Sequence, residues 1–315
     1  MHLFNNRIPM LAAALVGASL WGQEEPVFRS DTRLVVLNAT VVDSKGNLQT
    51  DLPRSAFKVF ENNVEQPLKF FRREDVPISL GVIVDNSGSM RLRRNKVESA
   101  AMLLVKASNR QDEVFIVNFN DDAFLDVDFT GDIKKMEDGL TRIDARGGTA
   151  MYDAINMSID HLKAKAKRDK KVLMLITDGA DTASKTSLEK LISQAHTTDA
   201  VIYAIAMLNE ELPREAKKAR RALEAIAKAT GGLCFFPKTL EEVDALAVEV
   251  AKDIRNQYVI GYSPTVQELD GTFRTIRVTA TGANRPTVRT RSGYYAAPQK
   301  GVVKVGSNSL LGPRE

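Results

Sequence analysis

The sequence holds a single cysteine, Cys234, so no disulfide can form within the chain. Its three histidines, His2, His161 and His196, are not spaced with one another as zinc ligands would be. The excess of positive charge is only +4 over 315 residues. That is too small to point to nucleic acid, which calls for a basic stripe with a readable motif. Long apolar runs are scarce as well. Ile8 to Trp21 is apolar, but it is shorter than the ~20 residues that cross a bilayer, and no second segment is long and apolar enough to span. Arg7 precedes this run and the polar Gln23-Glu24-Glu25-Pro26 follows it, the pattern of a cleaved export signal over residues 1–22, with an uncleaved N-terminal anchor as the alternative. No cysteine follows the run, which excludes a lipid anchor there. The expectation is an exported protein, periplasmic or extracellular, with no membrane segment after cleavage. A core of this size holds without disulfides.

What the chain does have is the composition of a folded globular protein, 43% hydrophobic and 27% charged. Three rhythms divide it. Residues 27–76 read as strands: LVVLNATVVD alternates and is rich in β-branched residues, and AFKVFENN and QPLKFFRR give two more. Residues 77–258 alternate strand and helix. ISLGVIVD, DEVFIVNF, AFLDVDF, KKVLMLITD and AVIYAIAM are strands, and a short one is expected at Leu233 to Phe236. Helical spacing predicts helices from Ser89 onward and over Ile133 to Ile143, Ala150 to Ala166, Ser187 to Thr198, Pro213 to Ala229 and Leu240 to Ile254. That order predicts an α/β fold, a Rossmann-like three-layer sheet with helices on both faces. Residues 259–297 return to β rhythm in three segments, NQYVIGYSP (which begins at Asn256), GTFRTIRVTA and PTVRTRSGYY. The tail, 298–315, has no pattern and is expected to be mobile. Each β region is too short to bury much surface alone. Packed together they would form a small β-sandwich-like domain with the α/β domain inserted in it.

Within the α/β region, hard oxygen ligands gather at three strand ends or loop-to-helix starts. Asp85, Ser87 and Ser89 stand in GVIVDNSGSM, Thr149 follows Gly147-Gly148, and Asp178 ends LMLITD. Ligands of open α/β sheets bind beyond the carboxyl ends of the strands, where such loops converge. Two carboxylates and three hydroxyls would balance a divalent ion and leave coordination positions open, which suits magnesium. Each piece alone also has a plainer reading: Ser89 as a helix N-cap, Gly147-Gly148-Thr149 as a turn, Asp178-Gly179 as a turn pair. A phosphate loop is disfavoured, because Asp85 stands where a run of glycines would be and repels phosphate unless a metal intervenes.

The strings DNSGS, GGTAMYDA and TDG, in this order, resemble the von Willebrand factor type A domain and its metal-ion-dependent adhesion site. All five ligand positions match: Asp85, Ser87, Ser89, Thr149 and Asp178. Ala229-Thr230-Gly231-Gly232 and the closing helix also fit, and the resemblance covers about residues 77 to 258. The flanks resemble those of secreted bacterial proteins with a related domain, at Val42 to Gly46, Phe57 to Asn63, Tyr258 to Tyr262, Gly271 to Val278 and Arg291 to Tyr294. The resemblance implies binding rather than catalysis. Ser87 and Ser89 would be direct ligands of Mg2+, or of Mn2+ or Ca2+. Thr149 would bind directly or through water, as would Asp85 and Asp178. An unknown protein partner would supply an acidic residue to the metal, and movement of the closing helix would couple to ligand state.

Other features read more plainly. Arg91, Arg93, Arg94 and Lys96 are taken as the solvated face of the first helix, with attraction of an acidic partner as the alternative. Lys163 to Lys171 reads as a basic helix end at the far sheet edge, and Arg214 to Arg221 as a solvated face. Cys234 reads as a small buried hydrophobe. Asp153 and Asp181 are either groups supporting the site or surface turn residues. Two other functions compete: a metal-independent scaffold of the cell envelope, and a metal-dependent hydrolase, for which no general base is evident.

Overall fold

The structure is a computed structural model that describes residues 33–297 except 74, 108, 110, 142–144 and 210. The export signal read at residues 1–22 and the tail at 298–315 lie outside the described residues. Four strands come first: β1 (Val35–Val42), β2 (Phe57–Glu61), β3 (Val64–Gln66) and β4 (Leu68–Arg72). β1 buries Val35, Leu37, Ala39 and Val41, the period of two that its sequence carries. Asn62 and Asn63 join β2 to β3 at positive φ (48° and 65°), which a tight two-residue hairpin requires.

At β5 (Ile78–Asp85) the pattern changes to eight consecutive buried residues. Then follow α1 (Arg94–Lys106), β6 (Glu113–Phe119), β7 (Ala123–Thr130), α2 (Ile133–Leu140), α3 (Met151–Lys165) and β8 (Lys170–Thr177). α4 (Leu188–Ala195), β9 (Val201–Ala206), α5 (Pro213–Thr230), β10 (Cys234–Phe235) and α6 (Glu242–Arg255) complete the series. The six strands form one sheet in the order β10-β9-β8-β5-β6-β7, parallel throughout except for β7, which runs against β6. Both faces of the sheet are covered, as a near-continuous apolar strand demands. Leu80, Val82 and Val84 pack into one layer with α1, α2 and α6, while Ile83 packs into the other with α3, α4 and α5.

The chain ends in β11 (Tyr258–Tyr262), β12 (Phe273–Ala280), β13 (Thr287–Arg289) and β14 (Gly293–Tyr295). With the first four strands these make two antiparallel sheets, β13-β1-β11-β4 and β14-β12-β2-β3. Leu37, Val41 and Ile260 of one sheet share a core with Phe57, Val59 and Val278 of the other. The two sheets are therefore the halves of a sandwich. Neither is complete without strands from both sides of the α/β region, which is inserted between β4 and β11. Among the described residues no helix is long and apolar enough to cross a membrane.

Two sequence expectations are corrected. PTVRTRSGYY is not one strand: β13 and β14 lie in different sheets, and residues 290–292 cross between them. The crossing is held against the end of α5, where Ser292 N–H donates to Ala229 O (3.3 Å). Gly231 allows that close approach: it sits at φ 83°, and a Cβ there would overlap the backbone of Thr290 and Arg291. The basic run Lys163 to Lys171 also divides. α3 ends at Lys165, and Lys170 begins β8, buried beneath the end of α6 with its ammonium donating to Ile254 O. Burial pushes the Lys170 pKa down to about 8.

Candidate metal centre

β5 and β8 are parallel neighbours in register, Val84 opposite Ile176, so Asp85 and Thr177 reach the same sheet edge together. A 3-10 turn, Gly88–Leu92, follows β5 and carries Ser89; Ser87 stands just before it. Asp85 is 1% exposed. Its Oδ1 accepts from the Ser87 N–H (2.8 Å) and its Oδ2 from the Thr177 hydroxyl (2.6 Å). Burial raises the Asp85 pKa to about 6, against the pull of those hydrogen bonds. Asp178 is also buried. Its Oδ1 accepts from the Ser89 hydroxyl (2.8 Å), and its Oδ2 is ion-paired to the Arg93 guanidinium. Ser87 Oγ lies 3.1 Å from Ser89 Oγ.

The third loop is tied to the first through its backbone. Gly88 N–H donates to Gly147 O (3.1 Å) and Arg146 N–H to Asn86 O (3.0 Å). Gly148 N–H donates to Asp121 Oδ1 (2.6 Å). Gly147 is at φ 74°, and a Cβ there would overlap the Asp121 carboxylate, so this turn requires glycine. Thr149 is buried; its N–H donates to Thr182 Oγ1 (3.0 Å), and its carbonyl accepts from Thr182 and Ala183 N–H (2.9 and 3.2 Å). Thr149 thus joins the other four residues through loop backbone rather than through its hydroxyl.

The oxygens suit a small hard cation. Neighbouring ligands of an octahedral magnesium are about 3 Å apart, given metal–oxygen distances of about 2.1 Å. The Ser87–Ser89 and Ser89–Asp178 separations are 3.1 and 2.8 Å. Among the described residues no three His, Cys, Asp or Glu side chains gather as a metal site, so the cluster depends on its hydroxyls. Its donors are oxygens alone, the chemistry that magnesium, manganese and calcium share.

Sequence reasoning missed several supporting groups. Thr177 fixes Asp85, Asp121 fixes the glycine turn, and Thr182 fixes Thr149. Asp121 carried a signal, being a carboxylate just past the end of β6 on the same sheet edge. The basic segment after the site is a solvated face only in part: Arg91 is exposed, but the other three cations are paired. Arg93 pairs with Asp178, Arg94 with Glu98 (2.7 Å), and Lys96 with Asp244 at the start of α6. Asp181 and Asp153 fasten the loop after Asp178 onto α3. Asp181 Oδ1 accepts from Tyr152 N–H (3.1 Å), while Asp153 accepts from the N–H groups of Lys185 (2.8 Å) and Thr186 (3.0 Å). Cys234 is half-buried, and that burial pushes its thiol up to about 12, away from the thiolate form that a nucleophile needs.

Residues 80–180, which hold all five candidate ligands, match the family model of the von Willebrand factor type A domain. This part of the chain is a von Willebrand factor type A domain. The sheet that carries it continues past the matched residues to β9, β10 and the covering helices α5 and α6. Solved structures similar to the chain include a von Willebrand factor type A protein from Catenulispora acidiphila, at 12% identity over 86% of this chain and 75% of that one, with a TM-score of 0.49. An aerotolerance-related membrane protein from Bacteroides fragilis is 17% identical over 56% of this chain and 98% of that one, TM-score 0.46. The type A domain of the pilus tip protein Mfa5 from Porphyromonas gingivalis is 14% identical over 57% and 95%, TM-score 0.44. No curated protein matches the sequence.

Proposed function

We propose that the protein is an exported binding module whose type A domain holds a divalent cation at Asp85, Ser87, Ser89, Thr149 and Asp178, and that an acidic side chain of a protein partner completes the coordination. Mg2+ is the first choice, with Mn2+ or Ca2+ as alternatives. The observation that carries this reading is the chain of oxygens from Ser87 through Ser89 to Asp178 at ligand spacing, buried at Asp85 and Asp178 and exposed at Ser89. Asp85 and Asp178 supply the negative charge, and the short hydroxyls leave room on the solvent side. The bound cation would supply the positive charge that a carboxylate seeks. Export is read from residues 1–22 and the partner is a protein of unknown identity.

A hydrolase would need a base beside the metal. Asp85 and Asp178 are the carboxylates that this reading assigns to the metal itself, which leaves neither of them to act as that base. The deciding experiment captures partners from a cell-envelope extract with Mg2+, with chelator, and with Asp85→Ala. Capture is expected to need Mg2+ and to fail with the variant. Capture that survives both treatments supports the metal-independent scaffold instead.

A further inference from the structure

We propose that Arg93 is an internal counter-charge that makes cation binding at this site conditional on an anionic partner; the inference rests on the metal-site reading above. The Asp178 side chain is 1% exposed and that of Arg93 30%, so their ion pair is largely shielded from water. Arg93 stands at the C-cap of the 3-10 turn, its N–H donating to Met90 O (2.9 Å), which brings its side chain back beside the loop that carries Ser89. The cations that follow it turn elsewhere, Arg94 to Glu98 and Lys96 to Asp244. Asp178 Oδ2 is committed to Arg93, so Oδ1, beside Ser89 Oγ, is the oxygen it can offer a cation.

The charges then add up differently from those of the five ligands alone. Asp85 and Asp178 contribute two negative charges and Arg93 one positive, a net of minus one. A divalent cation leaves the site at plus one, and one carboxylate from a partner returns it to zero. Without Arg93 the cation alone would neutralise the site, and a carboxylate would arrive in surplus. Arg93 therefore weakens the cation when no partner is present and strengthens the pull on a carboxylate once the cation is bound. By linkage, each ligand tightens the other by the same factor.

Mn2+ titration followed by electron paramagnetic resonance tests this on the full chain, with acetate as the carboxylate probe and sodium chloride matching its ionic strength. In the native protein, acetate is expected to lower the Mn2+ Kd several-fold. In Arg93→Gln, the Mn2+ Kd without acetate is expected to fall at least tenfold, since a single and a double charge about 6 Å apart repel by that much in water and by more where water is partly excluded. The effect of acetate should shrink towards none, and Arg93→Lys, which keeps the charge, should restore the native behaviour. An unchanged or raised Kd in Arg93→Gln, or an undiminished effect of acetate, overturns the proposal. Asp85→Ala separates the two levels. If it loses Mn2+ while Arg93→Gln behaves as native, only the role of Arg93 falls; if it retains Mn2+, the metal reading falls and the role of Arg93 with it.

Discussion

The Asp85 carboxylate is buried at the end of β5. Its pKa is about 6 in the folded chain against 3.8 for an ordinary aspartate, because burial penalises the ionised form. The sign follows directly: without a cation this group favours folding most below pH 3.8, and that contribution is lost as pH rises through about 6. The loss amounts to roughly 3 kcal/mol at neutral pH. In chelator, Asp85→Asn should therefore stabilise the protein at pH 7 by up to that amount and bring no gain near pH 4, as urea denaturation at the two pH values would show. In the native protein, cation affinity should weaken as pH falls below about 6, where a proton competes for Asp85; an affinity flat from pH 5 to 7.5 would contradict this. At the scale of single residues, the gathering of Asp85, Ser87, Ser89 and Asp178 at one sheet edge was legible because short oxygen-bearing side chains stand at strand ends. Thr177 and Arg93 were not. Their roles exist only through contacts to Asp85 and Asp178, 92 and 85 residues away, and no local pattern marks such a pairing.

At the scale of elements, the turn before α3 is the most constrained part of the site. Gly147 combines positive φ with a carboxylate packed where a side chain would begin. Gly147→Ala should cost about 2 kcal/mol in urea denaturation and weaken the cation, since the same turn positions Thr149 and binds the Gly88 N–H. Double replacement with Asp121→Ser should relieve the overlap but not the backbone strain, and so recover only part of the loss. The buried strands were legible from their unbroken apolar runs, and the helices from their spacing. The division between β13 and β14 was not, because Thr290-Arg291-Ser292 holds neither glycine nor proline to mark the point where the chain changes sheets. What fixes the change is the close passage of Thr290 and Arg291 beside Gly231, a contact between segments distant in sequence.

At the scale of the molecule, insert and sandwich meet in a buried polar junction. Asp253 of α6 accepts from the Tyr203 hydroxyl of β9 (2.7 Å) and pairs with Arg289 of β13. Burial, together with the Asp253 charge, holds the Tyr203 phenol well above its usual pKa. Gln257 Nε2 donates to both Tyr203 Oη (3.1 Å) and Thr40 Oγ1 of β1 (3.2 Å). Removing one partner from such a pair leaves an uncompensated charge, so Asp253→Ala should destabilise by about 3–5 kcal/mol. The native protein should unfold in a single calorimetric transition, because α6 belongs to the core of the insert and is anchored to β13 of the sandwich. Separate transitions for sheet and sandwich in the native protein would contradict this. The Arg255 pairs with Asp112 and Asp75 add to the fastening at the same end of α6.

The hydrogen bonding of β11 to β4 has a consequence in time. Synthesis proceeds from the N-terminus, so β1 to β4 are made before the insert and their partners after it. The β2–β3 hairpin finds its pairing at once, whereas among the described residues the strands paired with β1 are β11 and β13, and the strand paired with β4 is β11. The first strands made must wait for the last. Closing the sandwich thus acts as a completeness check: a chain cut short within the insert keeps β1 and β4 as open edges, the form that proteases and aggregation remove.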